Sequence, residues 1–79
     1  MKNDKFLQRI RSKRQNVRFN DFVGLIKAMG FEKDRQVGSH QIFFHKCGAV
    51  LNVQNKHGEA KPYQIRQFLD KVDLYGLQL

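Results

Sequence analysis

Apolar residues recur along two stretches of the chain at the spacing of one helical face. The first set of apolar positions is Phe22, Leu25, Ile26 and Met29. The second set is Ile65, Phe68, Leu69 and Val72. Intervals of three and four residues are typical of an amphipathic helix. The pattern therefore predicts one helix over residues 20 to 30 and another over residues 62 to 74.

Both predicted helices carry residues that are typical of helix ends. Asn20 can cap the first helix, and Gly30 can close it, because glycine readily adopts the left-handed conformation found after helices. Pro62 is tolerated in the first turn of the second helix, which is expected to close near Gly76.

The residues between the two helices favour β-strands. Residues 33 to 37 form a short polar stretch, Gly38-Ser39 a turn, and residues 41 to 45 a β-branched and aromatic run. A turn over residues 46 to 48 leads to a strand over residues 49 to 54, and residues 55 to 61 read as a loop. The order is α-β-β-β-α. It predicts an α+β fold with a three-stranded antiparallel sheet and both helices on one face.

The net charge of +8 is concentrated at the N-terminus. Residues 1 to 18 hold seven basic side chains against Asp4, whereas residues 19 to 79 are close to balanced. The chain is thus divided into a basic N-terminal arm, residues 1 to 18, and a domain, residues 19 to 79. Such an arm favours a polyanionic partner.

Two structures of the arm are compatible with its sequence. Phe6, Leu7 and Ile10 have the spacing of one helical face, and Asp4 can cap such a helix. A partly disordered basic tail is the alternative, because a short isolated helix is only marginally stable. Residues 12 to 16 suit a linker in either case.

Cysteine content and hydropathy indicate the cellular compartment in which the protein is expected to work. Cys47 is the single cysteine, which excludes a disulfide-dense secreted scaffold. No apolar stretch has the length of a signal peptide or of a membrane span. We expect a cytoplasmic protein.

The middle of the chain resembles the HicA family of toxins. The motifs that carry the resemblance are Gly30-Phe31, Arg35-Gln36-Val37, Gly38-Ser39-His40, His57-Gly58, Lys61-Pro62 and Gln64-Ile65-Arg66. Their order and spacing match across roughly residues 19 to 77. The resemblance implies a small fold like that of double-stranded-RNA-binding domains, and the activity of an endoribonuclease, or mRNA interferase, that inhibits translation and growth. It also implies a HicB-like antitoxin partner, and it places His40 at the catalytic position.

The same histidine suits RNA cleavage on chemical grounds. Cleavage without a metal or cofactor needs a base for the 2′-hydroxyl proton, an acid for the leaving oxygen, and positive charge on the phosphate. An imidazole, with an ordinary pKa of about 6.5, can accept or donate a proton near neutrality. Gly38 and Ser39 can hold a phosphate oxygen beside His40 through backbone amides and a hydroxyl.

Further basic residues are candidates for binding RNA phosphate. They are Arg35, Lys33, Lys46 and His57. His57 is also a candidate second acid. His45 follows His40 by five residues and therefore faces the opposite side of a regular strand. It is either an exposed strand-end histidine or a phosphate contact. Phe43 and Phe44 cannot both face the core, so one ring is available for an unstacked base.

Two other readings compete with a metal-independent nuclease. A zinc site built from the histidines and Cys47 is disfavoured because no Cys-x-x-Cys or paired-histidine spacing occurs, and we expect no metal and no cofactor. A non-catalytic double-stranded-RNA-binding module explains the charge and the α-β-β-β-α order equally well, but it leaves His40 without a function.

Overall fold

The computed structural model describes residues 2–79. The elements in chain order are α1 (Lys2–Ser12), β1 (Val17–Arg18), α2 (Phe19–Ala28), β2 (Glu32–Val37), β3 (His40–Phe44), β4 (Val50–Gln54), β5 (Glu59–Ala60) and α3 (Pro62–Tyr75). Strands β2, β3 and β4 form an antiparallel sheet in that order, and β1 pairs with β5 as a separate two-stranded ladder. The predicted α+β fold with its three-stranded sheet is confirmed. Strands β1 and β5 are added to it, and α1 is the helical one of the two structures that the sequence of the arm allows.

Helix α2 begins earlier than its sequence suggests. Arg18 is the N-cap residue and makes no side-chain capping bond, so the prediction that Asn20 caps this helix is wrong. The start is shifted because Phe19 is buried and its backbone N–H donates to the carbonyl of Gly58 at 2.9 Å. Gly30 follows the helix with a φ of +100°, as expected of a residue that closes it.

Helix α3 has the predicted ends. Pro62 occupies its first turn, where a missing N–H costs nothing, and Gly76 closes it in the left-handed conformation with a φ of +63°.

A single apolar core lies between one face of the sheet and the helices. The sheet contributes Phe43, Leu51 and Val53, all buried, to the cluster that also contains the apolar faces of α2 and α3. Phe22 of α2 meets Phe68 of α3 edge to face, with ring centroids 5.5 Å apart. No element within residues 2–79 covers the opposite face of the sheet.

The N-terminal arm packs on the domain. Ile10 of α1 and Val17 of β1 are fully buried in the same core, and Val17 is in register with Ala60 of β5. Arg11 forms a two-point ion pair with Asp73 of α3, at 2.9 and 3.3 Å. Asp4 lies inside the first turn of α1 and not at the position before the helix, and its charge favours the helix dipole there.

Candidate functional site

The uncovered face of the sheet carries the predicted catalytic histidine. Side chains alternate along a strand, and Phe43 of β3 points into the core, so His40, Ile42 and Phe44 share the outer face. On β4 the buried residues Leu51 and Val53 alternate with outward-facing residues in the same way. Phe44 is 42% exposed, which makes it the accessible ring of the Phe43-Phe44 pair.

His40 is held by an asparagine on the neighbouring strand. Its Nδ1 lies 3.0 Å from Oδ1 of Asn52. In the strand register His40 faces Gln54, so Asn52 is its diagonal neighbour, within reach of a ring side chain. Because an amide oxygen only accepts hydrogen bonds, the proton of a neutral imidazole in this contact sits on Nδ1. Nε2 then carries the free lone pair that a general base needs.

The turn before His40 is fixed from both sides. Gly38 and Ser39 form a two-residue hairpin loop between Val37 and His40, and Gly38 has a φ of +61°, which only glycine adopts readily at this position. Gln36 donates to the carbonyl of Gly38 at 3.1 Å. The loop therefore presents Ser39 and His40 in a defined orientation.

Ser39 is anchored to β4. Its Oγ accepts a hydrogen bond from the side-chain amide of Gln54 at 2.8 Å, and its carbonyl accepts one from the backbone N–H of Asn55 at 3.3 Å. The hydroxyl proton is not used in these contacts, so Ser39 can still donate to an oxygen of a bound phosphate.

The candidate cations occupy different parts of the sheet. Arg35 is in register with Ile42 and therefore lies on the same outer face as His40, as a diagonal neighbour across the β2–β3 pair. Its guanidinium lies 3.8 Å from the carboxylate of Asp34, and both side chains are at least half exposed.

Lys33 and Lys46 lie away from His40. A register shift between Lys33 and Arg35 puts Lys33 opposite the core residue Phe43, and its ammonium group donates to the side-chain oxygen of Gln36 at 2.9 Å. Lys46 follows the other end of β3, six residues from His40, which corresponds to roughly 20 Å along an extended strand. Neither residue shares the outer-face patch of His40 and Arg35.

The two remaining histidines differ in environment. His57 is exposed in a tight turn closed by the Lys56–Glu59 bridge and has a φ of +54°. Among residues 2–79, no hydrogen bond to its side chain is formed.

His45 is half-buried on the opposite side of the sheet from His40. Its Nδ1 accepts a hydrogen bond from the backbone N–H of Cys47 at 3.0 Å, and its ring meets Phe31 edge to face. A β-carbon on Gly30 would lie 2.8 Å from the His45 Nε2. His45 thus fills the space that the glycine leaves open.

Asn52 and Gln54 are the site residues that sequence reasoning missed. Asn52 stands between Leu51 and Val53, and Gln54 follows Val53, so the alternation along β4 alone predicts that both face away from the core. Their pairing with His40 and Ser39 also depends on the register of β3 with β4, which the turn after β3 sets.

Neither a metal centre nor a membrane span is built into the described part of the chain. Within residues 2–79 no three or more histidine, cysteine or carboxylate side chains gather as a ligand set. No helix in the same range combines the length and the apolar character needed to cross a bilayer.

Comparison with known protein families gives one assignment. Comparison with curated proteins and with solved structures gives no match. Residues 19–74, well over half of the chain, match the family described as HicA toxin of bacterial toxin-antitoxin systems. The matched range begins at the first residue of α2 and ends within α3, so it contains the His40 site and leaves out α1 and β1. The chain belongs to the HicA toxin family.

Proposed function

We propose that this protein is the toxin of a toxin–antitoxin pair and acts as a metal-independent endoribonuclease on messenger RNA, with His40 as its general acid and base. The observation that carries the proposal is the hydrogen bond between His40 and Asn52 on the exposed face of the sheet. An oriented imidazole beside a turn that carries the Ser39 hydroxyl supplies the groups that RNA cleavage requires.

The reaction is an attack of a ribose 2′-oxygen on the adjacent phosphorus atom. Nε2 of His40 takes the 2′-hydroxyl proton while the new oxygen–phosphorus bond forms and the bond to the 5′-oxygen breaks. The imidazolium that results then gives its proton to the departing 5′-oxygen. The products are a 2′,3′-cyclic phosphate and a 5′-hydroxyl, and the histidine is regenerated.

Two neighbours stabilise the charge that develops on the phosphate. Ser39 donates its free hydroxyl proton to a phosphate oxygen, and Arg35, on the same face, supplies a positive charge that a guanidinium can direct to two oxygens. Such preorganised donors favour the transition state over the bound substrate. We assign no catalytic role to His57, because no contact described for it connects it to the His40 site.

A cleavage assay with His40→Ala tests the catalytic assignment. We expect a loss of about 10²- to 10⁴-fold in the cleavage rate of an RNA oligonucleotide, the usual contribution of a general acid–base group. Growth inhibition on expression should disappear as well, and a chelator should leave wild-type activity unchanged. His45→Ala is the matched control, because it removes a histidine from the opposite face of the sheet. It should keep its activity per folded molecule, which circular dichroism quantifies.

Two outcomes would count against the proposal. Unchanged cleavage by folded His40→Ala excludes His40 as the catalyst. If the wild-type protein binds RNA and never cuts it, the protein is a non-catalytic RNA-binding module. The α-β-β-β-α order fits this alternative as well.

Asn52 is a positioning residue in this mechanism. Asn52→Leu removes the acceptor for Nδ1, and we expect a fall of roughly threefold to tenfold in kcat, the equivalent of one hydrogen bond. Asn52→Asp keeps an acceptor but stabilises the imidazolium, so the acid limb of the pH–rate profile moves to higher pH. Long-range proton–nitrogen NMR should show the wild-type His40 proton on Nδ1. A proton on Nε2 would contradict this assignment.

The family implies a protein partner for the toxin. An antitoxin of the HicB type that covers the outer face of the sheet would block access to His40. Co-expression of an adjoining antitoxin reading frame should therefore restore growth and suppress RNA cleavage.

A further inference from the structure

A basic cleft lies between the N-terminal arm and the start of helix α3. Its volume is about 530 Å³. The residues that line it are Ser12, Lys13, Arg14, Gln15, Pro62, Tyr63 and Arg66. The first four belong to the segment that ends α1 and leads to β1, and the other three form the first turns of α3. Four of the seven lining residues therefore lie outside the range that matches the toxin family.

The charge of the cleft is positive and uncompensated by its lining. Lys13, Arg14 and Arg66 contribute three cations, and no carboxylate is among the lining residues. The ion pairs found within residues 2–79 join Arg11 to Asp73 and Arg35 to Asp34, and neither pair involves a lining residue. Three like charges that face one cleft repel each other, so a bound anion would lower the energy of the arrangement.

The lining groups fit the phosphate and the base of a nucleotide. Guanidinium groups bind phosphate oxygens in pairs, which gives Arg14 and Arg66 the right chemistry for a phosphodiester. The α3 helix begins here without a side-chain cap and with no acidic residue in its first turn, so its positive end adds to the potential. Tyr63 is 54% exposed, and its ring is available for stacking on a base.

A short segment of the chain, from the end of β4 to the start of α3, leads from the His40 site to the cleft. Gln54 pairs with His40, and the chain then turns back at the Lys56–Glu59 bridge, so that β5 leads into α3 at Pro62. We therefore expect a strand of RNA bound at the catalytic face to continue to the cleft around this end of the domain.

We propose that this cleft binds the phosphate backbone of the RNA strand that His40 cleaves, at phosphates outside the scissile one. This inference rests on the proposed ribonuclease function, which it deepens by giving the arm a defined binding surface. Docking of the arm fixes the cleft, because buried Ile10 and the Arg11–Asp73 ion pair hold α1 against the domain. Lys13 and Arg14 then face Arg66 before any ligand binds, which reduces the entropy lost on binding.

RNA binding in the inactive His40→Ala background tests the cleft separately from catalysis. The probe is a fluorescent single-stranded RNA, and the readout is Kd as a function of salt concentration. Arg14→Gln combined with Arg66→Gln should weaken binding by at least about tenfold, the equivalent of one or two charge-assisted hydrogen bonds. The slope of log Kd against log salt should flatten by about 1.4, since each phosphate contact on a single strand contributes roughly 0.7.

A matched control removes the same charge from elsewhere on the arm. Lys2→Gln combined with Lys5→Gln takes two exposed cations from α1 that do not line the cleft, and it should leave the slope close to that of the parent protein. Thermal unfolding of each variant serves to check that the fold is retained. Flattening of equal size in both double variants would mean that the protein attracts RNA only through its total charge, and would overturn the proposal.

A cleavage experiment distinguishes failure of the cleft proposal from failure of the proposed ribonuclease function. With His40 intact, the Arg14→Gln and Arg66→Gln double variant should cut a dinucleotide at the wild-type rate and a long RNA with a raised KM. Cleavage of long RNA with unchanged KM and unchanged salt slope would refute the cleft and leave the nuclease standing. Weaker binding of an Asp/Glu-rich peptide with unchanged RNA binding would refute it in favour of a protein partner.

Discussion

One buried side chain connects the N-terminal helix to the rest of the domain, and its removal tests how firmly the arm is held. Ile10 has 0% exposure in the common core, whereas its helical neighbours Phe6 and Leu7 are only partly buried. Truncation of a buried isoleucine to alanine costs about 2–5 kcal/mol, because transfer energy is lost and a cavity remains. A domain of this size has a total free energy of unfolding of about 4–12 kcal/mol. Ile10→Ala should therefore remove a large part of it.

The assay is thermal and urea unfolding followed by circular dichroism. A loss of 2 kcal/mol or more corresponds to a fall in Tm of at least about 8 °C for a domain of this length. Gln8→Ala is the control, because Gln8 is exposed on the same helix, and a surface change there should stay within about 0.5 kcal/mol. Hydrogen exchange of the α1 amides in the Ile10→Ala protein would show whether the helix opens alone or with the domain.

The result that would refute this reasoning is equally specific. If Ile10→Ala and Gln8→Ala unfold at the same temperature and the same urea concentration, α1 contributes nothing to the core. The arm would then be a tail in solution, and the cleft between the arm and α3 would not be a preformed site.

Two further predictions concern the ends of the helices. Gly30→Ala should destabilise the fold by about 1–3 kcal/mol in urea unfolding, because φ is +100° and the new Cβ would meet the His45 ring. Adding His45→Ala should restore only the part of this stability that the contact with the ring costs. Full restoration would show that the backbone at residue 30 is unstrained. The hydrogen bond from Arg11 holds the pKa of Asp73 below its ordinary value and raises the pKa of Arg11. The stabilisation by this pair is therefore present above the ordinary carboxyl range and is lost as the pH falls through the lowered pKa of Asp73. Asp73→Asn should lower Tm slightly at neutral pH and leave Tm unchanged at strongly acidic pH. An equal fall in Tm at both pH values would exclude loss of the ion pair as the cause of the fall.

Most of the fold follows from the periodicity of the sequence. The apolar stripes of α2 and α3 and the turn glycines Gly38 and Gly76 each predict their elements, since these signals are local. The strands β1 and β5 could not be predicted, because two-residue strands have no periodicity of their own. They exist through the pairing of Val17 with Ala60, which is a tertiary contact. The burial of Phe19 and its hydrogen bond to Gly58 are also tertiary contacts, and they place the start of α2 before the capping residue that its sequence offers.

The candidate site was predictable in part. The Gly38-Ser39-His40 motif identifies the histidine and the turn, and strand alternation separates His40 from His45. The partner of the imidazole could not be identified, because Asn52 lies twelve residues away and reaches His40 only through the register of β3 with β4. Lys46 is near His40 in sequence but lies at the far end of the strand, which sequence distance alone does not reveal.

The structure changes how the basic arm should be tested for a part in RNA binding. Deletion of the arm removes its charge, but it also removes Ile10 and Val17 from the core, so a truncated protein would lose stability together with RNA affinity. Any loss of cleavage could then arise from unfolding. Exposed cations such as Arg14 can be neutralised without touching the core, because the apolar face of α1 holds the helix in place. Point substitutions therefore separate the contribution of the arm to RNA affinity from its contribution to stability, because its charged and apolar residues occupy different positions on one short segment.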